Sequence, residues 1–89
     1  MTEIILYLIQ IDDKIVLTDN GNTYAYLDNI FELDEPAIIK DISAVSNYYG
    51  VILENRQLII EVNSIEKISE EFLKMFYCIG FLNDMVIFY

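Results

Sequence analysis

Apolar and polar positions alternate in two different rhythms along this chain, and the switches between them mark its elements. "EIILYLIQ" (3–10) and "KIVLT" (14–18) are rich in β-branched residues and read as two strands joined through Asp12-Asp13. Alternation is weak in the first strand, which predicts that both of its faces are covered. "DNGN" at 19–22 is turn chemistry, because Asn20 and Gly21 tolerate positive φ. Thr23 is then placed to cap a short helix over "YAYLDNIF".

The rhythm then changes to a helical one. Pro36 suits the first turn of a second helix, where its missing N–H would have no partner. Ile38, Ile42, Val45 and Tyr49 follow at spacings of four, three and four as one apolar stripe, and Gly50 closes that helix. "VILENRQLIIEV" (51–62) is a second hairpin with its turn at Glu54 to Gln57. Asn63 or Ser64 caps a last helix, with Glu66 three positions after Asn63 as a capping box requires. Ile65, Ile68, Phe72, Met75, Ile79, Leu82 and Val86 hold helical period to the end. Gly80 weakens that helix by about 1 kcal/mol relative to alanine without forcing a break. The order is β-β-α-α-β-β-α, an α+β fold of two antiparallel hairpins with helices on one face, in one domain spanning 1–89.

Composition adds a problem of burial. With 89 residues and 55% apolar side chains, the chain carries more apolar surface than a domain of this size can bury. The surplus predicts a second burial event, by self-association or docking on a protein. It is densest in "MFYCIGFLNDMVIFY" (75–89), where 12 of 15 residues are apolar. The expectation is a homodimer through Met75, Phe76, Ile79, Phe81, Leu82 and Val86; the alternative is a central helix wrapped by sheet and helices. The segment 72–89 is broken by Lys74, Asn83 and Asp84, too short and interrupted for a membrane span. "MTEIILYLIQIDD" lacks the basic start and cleavage site of a signal peptide, so a cytoplasmic location, inside a host cell, is expected.

Charge narrows the partners. Fifteen Asp and Glu against five Lys and Arg give −10, with no basic cluster to meet phosphates. Direct binding to DNA or RNA, or to an anionic membrane, is disfavoured. A protein with a basic, nucleic-acid-binding surface is the favoured partner; solubility of an apolar domain is the alternative role for the charge. "LDNIFELDEP" (27–36) concentrates Asp28, Glu32, Asp34 and Glu35 in eight positions, with Asp41 shortly after. Ile30, Phe31 and Leu33 would anchor this segment and leave the acids outward. Tyr24, Tyr26 and Tyr48, from a total of seven tyrosines, would supply amphipathic contact area beside them. Completion of the core with hydroxyls at the rim is the competing use of each tyrosine.

Catalytic chemistry lacks its usual parts. No histidine exists, so no Ser-His-Asp or Cys-His pair can form. Asp12-Asp13, Asp34-Glu35 and Glu70-Glu71 are adjacent in sequence, which directs their side chains apart rather than into a cleft. "IVLTDNG" puts Val16 and Thr18 where a calcium loop needs Asp or Asn, and no glycine-rich phosphate cradle exists. Cys78 reads as a small buried apolar residue. The expectation is a non-enzymatic protein without metal or cofactor.

Two stretches resemble a known family. "IVLTDNGNTYAYL" carries a strand ending in Leu17-Thr18-Asp19, then Asn20, Gly21 and a helix led by Thr23 that contains Leu27. "YYGVILENRQLIIEV" carries Tyr49, Gly50, Val51, Leu53 and Leu58 of a later hairpin. Both are similar to the uncharacterised bacterial and phage family numbered, as a domain of unknown function, eighteen-twenty-eight. The resemblance covers most of the chain but lacks the helix and strand that often precede the hairpin in that family, which implies a minimised version. It implies a fold and an association with mobile elements, and supplies no activity. Together with the charge, it leads to the expectation of an anti-defence inhibitor of anti-CRISPR type that mimics nucleic acid. A structural or oligomerisation module is the alternative.

Overall fold

The computed structural model of the chain describes residues 3–31 and 35–88. Its elements are β1 (Tyr7–Ile11), β2 (Lys14–Thr18), α1 (Asn22–Phe31), α2 (Glu35–Tyr48), β3 (Ile52–Glu54), β4 (Gln57–Val62) and α3 (Ile68–Phe88), the last entered through a short 3-10 turn at Ile65–Lys67. The order β-β-α-α-β-β-α is the expected one, and the fold is α+β.

The two hairpins form one antiparallel sheet in the order β1-β2-β4-β3. They are joined along the inner strands, with Leu17 opposite Ile60 and Ile15 opposite Val62. Side chains on opposed residues share a sheet face. Leu17, Leu58, Ile60 and Val62 therefore point to the same side, where they form the core with Tyr24 and Leu27 of α1, Ile42 of α2, Val51, and Met75, Cys78, Ile79 and Leu82 of α3. Ile9, Val16, Ile59 and Ile52 line the other side, which no helix covers among the described residues.

The first strand departs from expectation. It begins at Tyr7 rather than Glu3, and every one of its residues is exposed. Its weak alternation reflects an edge strand with neither face well covered, not a strand buried on both.

Turns follow from local chemistry. The β3–β4 hairpin turns through Asn55 and Arg56 at φ +50° and +63°, the pair of left-handed residues that a tight hairpin's twist demands. Arginine is an unusual occupant, and its guanidinium sits 5.5 Å from the centroid of the Tyr24 ring, a cation–π contact that ties the turn to α1. Gly50 ends α2 at φ +75°, with its N–H bonded to Asn47 O and the Val51 N–H reaching back to Ser46 O. Ser64, not Asn63, caps the entry to α3: its hydroxyl accepts from the Glu66 N–H at 3.3 Å.

The stripe predicted for α3 is partly right. Ile68, Met75, Ile79 and Leu82 pack inward, joined by Cys78 and Met85. Ile65 sits in the 3-10 turn, out of phase with the helix that follows, and is exposed; Phe72, within α3 itself, is exposed as well. The Val86 side chain lies outside the described residues.

Candidate functional site

Asp19 is the only buried acid among the described residues, and its surroundings explain the most recognisable part of the sequence. Its Oδ1 accepts from the Gly21 N–H at 2.9 Å and from the Leu58 N–H at 3.0 Å; its Oδ2 accepts from the Thr23 N–H at 3.0 Å. One carboxylate thus closes the turn, caps α1 and fastens it to β4. Its negative charge at the helix N-terminus is also favourable to the helix dipole. Thr23, expected to be the cap, lies inside the first helical turn and is capped rather than capping; its own hydroxyl is buried without a partner.

Gly21 is required at this junction for two reasons. Its φ is +82°, and a Cβ there would stand 3.2 Å from the Arg56 carbonyl oxygen. Thr18 completes the knot, donating to Gln57 Oε1 and accepting from the Asn20 N–H, each at 3.0 Å. "LTDNG" is therefore a structural device joining two hairpins and a helix. The turn is legible in the sequence; the reach of Asp19 is not. The available signal was an aspartate two residues before a glycine and three before a helix.

Cys78 lies close to this junction. Burial first, and the Asp19 charge second, push its thiol up to about 12. At neutral pH it keeps its proton and packs as an apolar group, as its sequence context indicated.

The residues assigned to a partner surface separate into distinct environments. Asp28 is exposed on α1 and Asp41 is half-buried on α2. Glu32 and Asp34, between those helices, lie outside the described residues, as does the side chain of Glu35. Tyr48 stands out from the end of α2 at 84% exposure, its neighbour Tyr49 packed edge-on against it with ring centroids 5.1 Å apart. Tyr26 is half-buried. Tyr24 is a correction: it is buried in the core beneath Arg56 and cannot present its ring to a partner. Ile30 is another, since it is exposed and does not anchor its segment; Phe31 and Leu33 have side chains outside the described residues.

The surface assigned to self-association also needs correction. Met75 and Leu82 are 0% exposed and Ile79 is 1% exposed. They close the core against the sheet, so a charge introduced at Met75 would disrupt folding rather than an interface. Phe76 and Phe81 do face outward. They belong to a different stripe of the same helix, with Phe72, Leu73 and Tyr77, which the inward periodicity concealed.

Elsewhere the surface is acidic. Glu3, Asp12, Asp13, Asp28, Glu54, Glu61, Glu66, Glu70 and Asp84 are all exposed. The basic residues do not gather into a patch in sequence, and two of them are engaged with acids: Lys14 with Glu61 at 3.7 Å and Lys74 with Glu71 at 3.1 Å. No set of three or more acids and cysteines among the described residues could hold a metal ion. No helix among them is long and apolar enough to cross a membrane.

Comparison with protein families matches residues 1–80 to the Domain of unknown function DUF1828, the family that the two hairpin motifs resemble. Neither the curated proteins nor the solved structures contain a match. The matched span takes in the Asp19 junction, both hairpins and α3 as far as Gly80, and on that match this chain belongs to the DUF1828 family.

Proposed function

We propose that this protein is a non-enzymatic binding module whose acidic surface occupies a basic, nucleic-acid-binding groove on another protein. The observation that carries this reading is the net charge of −10 on 89 residues, with nine carboxylates exposed across the described surface. A groove that holds nucleic acid is lined with Lys and Arg, and a surface of spaced carboxylates can take the positions that phosphates would otherwise fill. Inhibition would come from steric and electrostatic competition without turnover. A host nuclease or another defence effector is the kind of protein that offers such a groove. The protein would then act as an anti-defence inhibitor of anti-CRISPR type, in the cytoplasm of a host cell. Exposed Tyr48 would add rigid contact area to such a surface.

A second reading is favoured by a separate observation. The outer face of α3 exposes Phe72, Leu73, Phe76, Tyr77 and Phe81, more apolar surface than a solitary domain needs to show. An oligomerisation module, with its acids serving solubility, would account for that face.

Mimicry requires that the protein itself avoid nucleic acid. A mobility-shift titration with duplex DNA and with RNA at moderate salt should give no saturable complex, because each phosphate contact would form in a repulsive field. Saturable micromolar binding would overturn the mimicry reading.

A further inference from the structure

We infer that the outer face of α3 is a self-complementary interface, on which two copies of this chain pair with their α3 helices antiparallel. Phe76 of each copy would fill the gap over Gly80 of the partner subunit. This deepens the oligomerisation reading of the same face, on which it rests, and stands independently of the acidic-surface reading.

At 100° per residue, Leu73, Phe76 and Gly80 fall on one narrow stripe of α3, opposite Met75 and Leu82 in the core. Tyr77 and Phe72 flank it, and the Phe72, Phe76 and Tyr77 rings already form a cluster. Phe72 stacks on Phe76 with centroids 6.4 Å apart, and Phe76 meets Tyr77 edge-on at 6.1 Å. The three rings thus pack on one another, and each remains exposed over about half of its surface.

Gly80 is the second observation. Glycine is, after proline, the least favourable residue in a helix interior. Nothing inside this domain requires it: its φ is not left-handed, and a Cβ added there would meet no atom within 4 Å. By contrast, Gly21 is demanded by both its φ and its neighbours. A helix glycine that its own fold does not need, one turn from an exposed phenylalanine on the same stripe, fits a close approach from outside. In an antiparallel pair about a two-fold axis between these positions, each Phe76 lies over Gly80 of the partner subunit, and both holes are filled at once.

Charge favours a second copy as the occupant. From Phe72 to Asn83 the helix carries no acid and one base, Lys74, which Glu71 already holds. Two chains of −10 could meet here without opposing carboxylates. The open sheet face is less suited, since the Lys14–Glu61 pair and Glu54 interrupt its apolar residues. The area is modest. Phe72, Leu73, Phe76 and Tyr77, near half exposure, offer roughly 400 Å² per copy, so a dimer would bury roughly 800 Å², the size of a weak, reversible interface.

Sedimentation or light scattering of the full chain through the micromolar range reads the outcome. A dimer is expected, and it should tighten as salt is added, because screening relieves repulsion between two acidic chains. Gly80→Ala should keep or raise the melting temperature, having open space for its methyl, while raising the dimer dissociation constant about ten-fold or more, which corresponds to about 1.4 kcal/mol. Phe76→Ser should weaken the dimer at least as much, and Ile9→Lys, on the sheet face, should leave it unchanged. A wild type that stays monomeric at high salt overturns the inference. So does a Gly80→Ala protein that dimerises as tightly as the wild type, or a dimer broken by Ile9→Lys alone.

Discussion

Asp19→Ala should leave this protein unfolded, or nearly so, at room temperature. The substitution strips acceptors from three backbone N–H groups, those of Thr23 and Leu58 in buried bonds and that of Gly21 in a partly buried one. Each orphaned buried donor costs about 1–3 kcal/mol, and the cap of α1 is lost with them. A total of about 4–7 kcal/mol is comparable to the whole stability of a small domain. Asp19→Asn should be milder. A carboxamide can keep the Gly21 and Leu58 N–H groups on its oxygen, but it turns a donor toward Thr23 where an acceptor is needed. Chemical denaturation followed by circular dichroism separates these cases. The expected order of stability is wild type, then Asn, then Ala. An Ala variant within about 1 kcal/mol of wild type would show that this junction does not hold the two hairpins together.

That role was only partly visible in the sequence. The turn at Asn20-Gly21 is written in local φ preferences, which act within a few residues, so it could be read directly. The bond from Asp19 to Leu58 spans 39 positions and depends on the β2–β4 pairing, which no local preference announces. The same distinction between local and long-range determinants holds elsewhere. Gly50 and the Asn55-Arg56 turn fell where turn chemistry put them. The exposure of β1 depends on its being at the sheet edge, a property of strand order that "YLIQI" itself does not carry. On α3, a helix apolar on most of its circumference does not declare which stripe faces inward. The sheet and α1 claim Met75, Cys78, Ile79 and Leu82, leaving Phe76 and Phe81 outside. Tyr24 was lost from the candidate surface for a similar reason, since its covering partner Arg56 is 32 residues away in sequence.

The second large effect concerns the acidic segment. Reversal of Asp28, Glu32, Asp34 and Glu35 to lysine changes the net charge from −10 to about −2, since each substitution adds two charges. Binding to a protein with a basic groove should then be abolished, because attraction is replaced locally by repulsion and phosphate-like positions become cationic. The fold should survive. Asp28 is exposed, and relief of like-charge crowding contributes up to about 1 kcal/mol per exposed pair. Mimicry thus makes a paired demand, with function lost and the thermal transition kept or raised. Unfolding of the quadruple variant would make these acids structural. Unchanged affinity would place the contact on another face.

Salt acts in opposite directions on the two surfaces, which keeps them experimentally distinct. Contact between an acidic face and a basic groove weakens as ions screen it, whereas pairing of two acidic chains through an uncharged helix face strengthens. A protein could therefore lose its partner at high salt while remaining a dimer.

The most direct measurement is competition on a captured partner. The tagged protein is incubated with a bacterial host lysate, the retained protein is purified, and its binding is titrated with DNA and with RNA at several ionic strengths. Mimicry predicts a partner that binds nucleic acid on its own, releases this protein as nucleic acid is added, and loses affinity steadily with salt. A ternary complex in which nucleic acid and this protein sit together on the partner, with affinity indifferent to salt, would contradict it.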